Sequence, residues 1–143
     1  MKLLFLDSIE AATYGGMEEW IRLVGTGLAA RGHETTVSGR AGSEFLRRMA
    51  PRGENLHVLE LSISGDFQPT TINRIKSYLD EQQIDIIVVN FNKDVRLGGI
   101  AARWSGATKV VWSVGLDITK DNFAHRFLTP RLVDAVLVPS QSL

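Results

Sequence analysis

Short apolar runs that alternate with stretches of helical period constrain the fold of this chain more than any other feature of its sequence. Turn residues bound each run, which is typical of strands joined by crossover helices. Runs such as IDIIVV are dominated by consecutive apolar residues, and this favours a parallel sheet covered on both faces. The predicted strands span residues 3–6, 34–37, 57–61, 84–89, 110–114 and 135–138. We therefore expect an α/β fold: a three-layer, doubly wound, Rossmann-like domain with a mostly parallel sheet of about six strands.

Apolar stripes at helical spacing lie between the predicted strands. The first stripe comprises Met17, Ile21, Val24 and Leu28, and Gly32 follows it as a residue suited to end a helix. The later stripes are Ile72, Ile75 and Leu79 after Pro69, then Leu97, Ile100, Ala101 and Trp104, then Phe123 and Phe127 before Pro130. Each stripe predicts a helix packed on the sheet. We expect His33 to stabilise the end of the first helix, and Trp20, Trp104 and Trp112 to serve packing.

Composition argues against several classes of function. Lys plus Arg and Asp plus Glu number 16 each, so the net charge is zero and we expect no nucleic-acid partner. The chain has no cysteine and three scattered histidines, so we expect no metal site, and no cofactor is predicted. Asp7 and Glu10 interrupt the apolar start, and no later window suits a membrane span, which predicts a cytoplasmic protein. Residues 1–143 are expected to form a single domain.

The loop after the first predicted strand, SIEAATYGGMEEW, carries two adjacent glycines before a helix. In open parallel sheets ligands bind outside the carboxyl ends of the strands, where this loop lies. Gly15 and Gly16 would let a ligand approach backbone N–H groups at the positive end of the helix. The same pair could also simply form a tight turn. Glu18 is either a helix-capping carboxylate or an acceptor for a substrate hydroxyl.

Polar residues follow the fourth and fifth predicted strands at the same edge of the sheet. Asn90, Asn92, Lys93 and Asp94 come after strand four, and Asp117 and Lys120 come after strand five. Their amides and charges suit the hydroxyls or a phosphate group of an acceptor, so all six are candidate acceptor contacts. Each also has a structural interpretation, because Asp94 or Asn92 is a natural N-cap and a charged loop residue can simply be solvated.

The segment GGMEEWIRLVGTGLAARGHETTV resembles the amino-terminal signature of family 4 glycosyltransferases of the GT-B fold. That signature runs from two glycines and an acidic residue through a long amphipathic helix to Gly-His-Glu and a strand. GLDITKDNFAHRF and DAVLVPSQSL are similar to the segment that closes the first domain of the family. The resemblance covers essentially the whole chain. It implies that residues 1–143 are the amino-terminal, acceptor-side domain and that the carboxyl-terminal, donor-binding domain is absent from this chain.

The resemblance also implies a retaining transfer of a sugar from a nucleotide-diphosphate donor to a glycan or lipid-linked acceptor, normally without a metal. The donor is bound mainly by the second domain in such enzymes, so this chain alone would be inactive. By the resemblance, the backbone of Gly15 and Gly16 faces the donor diphosphate. Many relatives carry histidine where this sequence has Val114, so no catalytic side chain is assigned.

Two other classes of function are alternatives. The first is a stand-alone Rossmann-like nucleotide-binding or interaction module, such as a response-regulator-like domain, although Asp66 lies several residues beyond the third strand. The second is an NADP-dependent oxidoreductase in which Arg40 binds the 2′-phosphate, but the glycine loop lacks G-x-G-x-x-G spacing. A small basic cluster of Arg47, Arg48 and Arg52 leaves peripheral membrane contact open.

Overall fold

The computed structural model describes residues 1–9, 14–49, 53–65, 67–115 and 127–138. The strands are β1 (Lys2–Leu6), β2 (Glu34–Gly39), β3 (Leu56–Glu60), β4 (Ile86–Val89), β5 (Lys109–Ser113) and β6 (Ala135–Leu137). They form one sheet in the order β3-β2-β1-β4-β5-β6, and every neighbouring pair is parallel. The predicted six-stranded parallel sheet is confirmed, and the strand ends differ from the prediction by one or two residues.

The helices with described bounds are α1 (Gly16–Ala30), α2 (Glu44–Met49), α3 (Pro69–Gln82), α4 (Asn92–Ser105) and α5 (Thr129–Leu132). No apolar stripe predicts α2, because its six residues make less than two helical turns. Its residues Phe45, Leu46 and Met49 are nevertheless buried. Phe123 lies outside the described residues, and Phe127 is exposed.

Helices cover both faces of the sheet. In β1, Leu4 and Leu6 belong to a core shared with α3 and α4, whereas Leu3 and Phe5 belong to a second core shared with α1 and α2. All four side chains are buried. Burial on both faces explains why β1 is a continuous apolar run and not an alternating one. The predicted doubly wound, three-layer architecture is confirmed.

The carboxyl end of α1 is closed by Gly32, which has a left-handed φ of 84°. Its N–H donates to the carbonyl of Ala29 at 3.0 Å, and the N–H of His33 donates to the carbonyl of Leu28 at 3.1 Å. These are the two backbone bonds of a Schellman motif. Gly32 and the backbone of His33 therefore end the helix as predicted.

Two of the three tryptophans pack as predicted. The indole N–H of Trp112 donates to the carbonyl of Asn90 at 3.2 Å, and Trp112 is buried. The ring of Trp20 meets Phe5 edge-on, with 6.2 Å between ring centroids. Trp104 is 55% exposed, so the prediction that it belongs to the buried stripe of α4 is wrong.

The buried face of α4 contains four glycine or alanine residues. It includes Val95, Leu97, Gly98, Gly99, Ala101 and Ala102. A Cβ on Gly98 would lie 2.9 Å from side-chain carbons of both Leu6 and Val89, closer than such atoms pack. The missing side chain therefore lets α4 approach the sheet closely, and Trp104 lies outside the face that does so.

The basic residues of α2 are paired on the surface. Arg47 and Arg48 both form ion pairs with Glu44, and the Arg48 guanidinium lies 4.1 Å from the ring centroid of Tyr14. Arg52 lies outside the described residues. Membrane contact through this cluster stays a prediction. In the part of the chain that the structure describes, no helix is long and apolar enough to cross a bilayer.

Candidate functional site

The carboxyl edge of the sheet has its topological switch point between β1 and β4. From these two neighbours the strand order runs outward in opposite directions, to β3 on one side and to β6 on the other. Ligands of open parallel sheets bind in the crevice at such a point. A cleft of ≈ 670 Å³, here called the main cleft, lies at this edge. It is lined by Ile9, Gly15, Gly16, Met17, Glu18, Trp20, Phe91, Ser113, Val114, Gly115, Leu137 and Val138.

The amino terminus of α1 forms one wall of the main cleft. Gly15 is the N-cap, with φ −125° and ψ −174°, an extended conformation that any residue adopts. Neither Gly15 nor Gly16 has a positive φ, so the backbone turn does not require glycine at either position. A Cβ on Gly16 would meet no atom within 4 Å. The space in front of Gly16 is therefore open, and a side chain there would project into it.

The N–H groups of this helix end differ in what they bind. The Gly15 N–H donates to Oε2 of Glu18 at 3.1 Å, so it is already satisfied within the protein. The N-cap residue Gly15 has no side chain that could accept from the first turn, and the N–H groups of Gly16 and Met17 have no acceptor among the described residues. These two groups carry the positive end of the helix dipole. An anion in the main cleft would find two donors and a favourable field there.

Glu18 supports the glycine loop from inside. Its side chain is buried, and its bond to the Gly15 N–H is one half of a capping box. The capping interpretation of Glu18 is confirmed, and the carboxylate shapes the loop that lines the cleft. Glu19 points elsewhere: hydrogen bonds from Arg22 and from the Tyr14 hydroxyl hold the pKa of Glu19 at about 2.

Two carboxyl groups lie buried beneath the switch point. Burial raises the pKa of Asp7 to about 6, the negative charge of Glu18 adds to the rise, and the N–H of Ile9, 3.0 Å from Oδ1, opposes it. Burial likewise raises the pKa of Asp94 to about 7, and the charge of Asp7 adds to that rise. Both groups therefore titrate closer to neutrality than an ordinary aspartate. Among the described residues, no three His, Asp or Glu side chains lie close enough to hold a metal ion.

Asp94 fixes the start of α4. Its Oδ2 accepts the N–H of Phe91 at 3.0 Å, and Phe91 is the N-cap. The prediction that Asn92 or Asp94 occupies the cap position is wrong, because the carboxylate reaches back from the third helical position. Beside it, the Asn90 amide donates to the carbonyl of Leu6 at 3.1 Å. Within the described ranges, Oδ1 of Asn90 and Oδ1 of Asp94 have no hydrogen-bond partner.

The candidate acceptor contacts after β4 lie in different environments. Asn90 and Asp94 are buried under the edge of the sheet, while Asn92 is exposed and Lys93 is half-buried on the first turn of α4. None of these four lines the main cleft, which at this strand takes Phe91 instead. The structure thus brings the glycine-loop candidates together in the cleft and places the β4 candidates below or beside it.

The far wall of the main cleft is apolar. Val114 follows β5 and is buried, while Leu137 and Val138 at the end of β6 are about half exposed. Val114 is the position where the resemblance implies a histidine in many relatives, whereas Leu137 and Val138 were not predicted as part of a site, because their pattern is that of ordinary strand residues. Asp117 and Lys120 lie outside the described residues.

A second, smaller pocket lies at the carboxyl ends of β1, β2 and β3. It encloses ≈ 230 Å³ and is lined by Asp7, Ser8, Ile9, Arg40, Leu61, Ser62, Ile63 and Ser64; it is here called the serine pocket. Ile9 lines both cavities, so the two adjoin. The serine pocket was not predicted from the sequence. The alternation of Leu61, Ser62, Ile63 and Ser64 was the available signal, since it buries the two apolar residues and turns hydroxyls outward.

Sequence comparison decides the family. The model of Glycosyltransferase Family 4 matches residues 14–143, which is nearly the whole chain. The chain belongs to glycosyltransferase family 4. No curated protein matches this family 4 sequence.

Solved structures share the fold of this family 4 domain. A glycosyltransferase from Rickettsia africae ESF-5 has a TM-score of 0.76 at 15% identity, over 96% of this chain and 36% of that one. A putative UDP-N-acetylglucosamine 2-epimerase from Listeria monocytogenes has a TM-score of 0.68 at 14% identity, over 98% and 39%. HepE from Anabaena, in complex with UDP and glucose, has a TM-score of 0.56 at 21% identity, over 79% and 29%. At such identities the likeness shows the fold alone, and the family 4 chain spans under two-fifths of each structure.

Proposed function

We propose that this family 4 chain is the amino-terminal, acceptor-side domain of a retaining glycosyltransferase. The enzyme would move a sugar from a nucleotide-diphosphate sugar to a glycan or lipid-linked acceptor. The observation that carries this proposal is the family match over residues 14–143. The open amino terminus of α1 at the switch point supports it, because this is where the fold offers N–H donors to an anionic ligand.

The donor diphosphate is assigned to the glycine loop. The N–H groups of Gly16 and Met17 point the positive end of α1 at the main cleft. Negative charge grows on the diphosphate as its bond to the sugar breaks, so fixed donors stabilise the transition state more than the bound donor. Gly15 acts through shape, because its own N–H is bound to Glu18. The neighbour HepE, in complex with UDP and glucose, fits this class of donor.

No side chain of the described lining is assigned as a nucleophile. The one carboxylate in that lining, Glu18, is committed to the Gly15 N–H. The opposite wall, with Phe91 and Val114, is apolar and would keep water from the reacting sugar. The contribution of this chain is therefore positioning, exclusion of water and charge stabilisation.

A second domain belongs to this proposal. The chain spans 36% of the Rickettsia glycosyltransferase, and the rest of such an enzyme would hold most of the nucleotide. The 143 residues by themselves would then be inactive. Asn92, Lys93, Asp117 and Lys120 are proposed as acceptor contacts supplied by this side of the interdomain cleft.

A charge placed at Gly16 tests the proposal. The protein encoded by the whole gene would be assayed for sugar transfer from UDP-, GDP- and ADP-linked hexoses, and NMR would report the anomeric configuration of the product. Gly16→Asp places a carboxylate in the main cleft without a clash, while Gly27→Asp places one on the exposed side of the same helix, where a Cβ also meets nothing within 4 Å. We expect Gly16→Asp to raise the donor KM at least about tenfold, equivalent to about 1.4 kcal/mol, and Gly27→Asp to leave it unchanged.

Three outcomes would contradict different parts of the proposal. Equal donor KM values in the two variants would remove the diphosphate from the glycine loop. A product of inverted configuration would contradict retention. No transfer from any donor, in a protein that is folded by circular dichroism, would favour the stand-alone nucleotide-binding or interaction module.

A further inference from the structure

The serine pocket is a second cavity beside the main cleft. We infer that it holds an uncharged, hydroxyl-rich ring, the saccharide unit of the acceptor. The inference rests on the proposed function, and it adds to the acceptor contacts proposed after β4 and β5 a saccharide site at the carboxyl ends of β1, β2 and β3.

The size of the serine pocket limits its occupant. Its ≈ 230 Å³ lies below the range of about 300 to 1,000 Å³ that holds drug-sized ligands and cofactors. A nucleoside with its phosphates would have to extend beyond such a volume. One small ring fits.

The floor of the pocket is apolar and rigid. Leu61 and Ile63 are 2% and 4% exposed and belong to the core shared with α3 and α4. Ile9 closes the side toward the main cleft. A saccharide ring has an apolar face of C–H groups, and an apolar floor with a few convergent polar groups is the common design of small-molecule sites.

Hydroxyl groups surround this floor. Ser62 and Ser64 each provide an exposed hydroxyl that both donates and accepts hydrogen bonds, as sugar hydroxyls do, whereas Ser8 is buried beside Asp94. The Ser64 oxygen accepts the amide of Gln68 at 3.0 Å, which leaves its own hydrogen to donate to a ligand. Donor–acceptor groups of this kind match an alcohol better than an anion, which only accepts.

The described lining of the pocket carries charges of both signs. Arg40 contributes one positive charge at its wall and the Asp7 carboxyl contributes the opposing one beneath it. A phosphate group would meet Asp7 at close range, whereas a neutral ring would accept from one group and donate to the other. This pairing favours an uncharged saccharide over a phosphorylated one.

The position of the pocket suits an acceptor. Ile9 lies between it and the main cleft, where the α1 amino terminus faces the proposed donor diphosphate. A ring in the serine pocket can therefore extend one hydroxyl past Ile9 toward the donor sugar. The register that brings β1, β2 and β3 side by side assembles the pocket from residues as far apart in sequence as Asp7 and Ser64.

The test measures binding without a donor. The whole-gene protein, labelled with ¹⁵N, would be titrated with methyl α-glucoside, methyl α-mannoside and methyl N-acetylglucosaminide, and separately with inorganic phosphate and NADPH. Ser62 is exposed, so Ser62→Tyr should fold and fill the pocket, and Ser77→Tyr adds the same ring on the exposed side of α3 as a control. We expect at least one glycoside to bind, Ser62→Tyr to weaken it at least about tenfold, and Ser77→Tyr to leave it unchanged.

A second variant covers the case in which Ser62→Tyr does not fold. Ser64→Ala removes one hydroxyl only and should weaken the same glycoside about threefold to tenfold, as expected for one lost hydrogen bond. The inference is overturned if no glycoside binds, if phosphate or NADPH binds in place of the glycosides, or if the folded variants bind as the wild type does. Sugar transfer with unaltered glycoside binding in Ser62→Tyr contradicts this inference alone. Loss of glycoside binding in Ser62→Tyr, in a protein that transfers no sugar, contradicts the proposed function alone.

Discussion

Two pairs of adjacent glycines, Gly15–Gly16 and Gly98–Gly99, look alike in the sequence and differ in the structure. At Gly98 an added Cβ would lie 2.9 Å from Leu6 and Val89, and at Gly99 it would lie 2.8 Å from Cβ of Leu132. At Gly16 it would meet nothing within 4 Å. The second pair is thus required by packing within the protein. In the first pair, a Cβ on Gly15 would lie 3.1 Å from Oε2 of Glu18, whereas among the described residues no atom requires glycine at position 16.

Glycine before a helix can serve a tight turn, close packing or the approach of a ligand. A tight turn was the competing interpretation of Gly15 and Gly16, but neither has a positive φ. Among the described residues, close packing does not account for Gly16 either, since an added Cβ there would meet nothing within 4 Å. The remaining physical reason for a bare backbone at a cleft is the close approach of something that is not part of the chain. This reasoning supports the ligand interpretation of the first pair.

The largest effect is expected at Gly98. Gly98→Ala forces a methyl group against Leu6 and Val89, two fully buried side chains that have no free direction to move. Overpacking of this kind costs about 1 to 3 kcal/mol, and we expect Gly98→Ala near the upper end. Urea unfolding followed by circular dichroism would measure it. A loss below about 0.5 kcal/mol would show that α4 shifts freely and that packing does not require this glycine.

The next effect concerns how α4 is anchored beside that packed face. Asp94 has its pKa raised by burial to about 7, so the folded state binds the proton more tightly than the unfolded chain. The protonated Asp94 carboxyl makes its full contribution to the free energy of unfolding below about pH 4, and this contribution is lost as the pH rises toward 7. Asp94→Asn keeps an acceptor for the Phe91 N–H and cannot ionise. We expect its stability to exceed that of the wild type by on the order of 2 kcal/mol at pH 8 and to vary less with pH.

The control for the pH series is an aspartate with the opposite shift. Hydrogen bonds from Lys76 and Ser105 hold the pKa of Asp80 below its usual range. The ionised Asp80 carboxylate stabilises the folded state above about pH 4, and this stabilisation is lost as the pH falls. Asp80→Asn should therefore lower the free energy of unfolding at neutral pH. Unfolding curves from pH 4 to 8 would compare the two variants. The same slope in wild type and Asp94→Asn would contradict a buried, proton-binding Asp94.

Much of the fold could be predicted because the burial of the strands determines which of their residues are apolar. Leu3 to Leu6 are apolar at every position, since neighbours along β1 face different helices, and this identified a parallel sheet. The stripe through Trp104 misled because periodicity alone does not say which side of a helix fits the sheet. The side of α4 that packs on the sheet is the side that carries Gly98, because only a residue without a side chain fits there.

The site could be predicted only where one loop contains it. Gly15, Gly16 and Glu18 are neighbours in sequence, so one segment shows them together. The serine pocket joins Ser8, Arg40 and Ser62 from three strands, and only the pairing of β1, β2 and β3 brings them together. The burial of Asp94 could likewise not be predicted, because the sequence does not distinguish a buried polar residue after a strand from a solvated one.

A smaller effect distinguishes the two glycines inside α1. A Cβ on Gly25 would touch Val37, Thr35 and Met49 at 3.4 to 3.9 Å, while a Cβ on Gly27 would meet nothing. Gly27→Ala should therefore stabilise the protein by about 0.5 to 1 kcal/mol through the higher helix propensity of alanine. Gly25→Ala should gain less, because its methyl must fit against the buried Val37. Thermal unfolding would rank the pair, and a destabilised Gly27→Ala would contradict the open space at that position.

Among these substitutions, the smallest change in the free energy of unfolding is expected for Gly16→Ala. The same substitution is expected to have the largest effect on the donor KM of any single added methyl group. Gly16→Ala places its Cβ in open space at the first position of α1, so the unfolding free energy should change by less than about 0.5 kcal/mol. The same methyl stands in front of the N–H groups proposed to receive the diphosphate, so the donor KM of the whole-gene protein should rise several-fold. Urea unfolding and donor titration on one preparation would separate the two quantities. A glycine that changes stability but not donor KM would belong with Gly98, and the contrast between the two pairs would then fail.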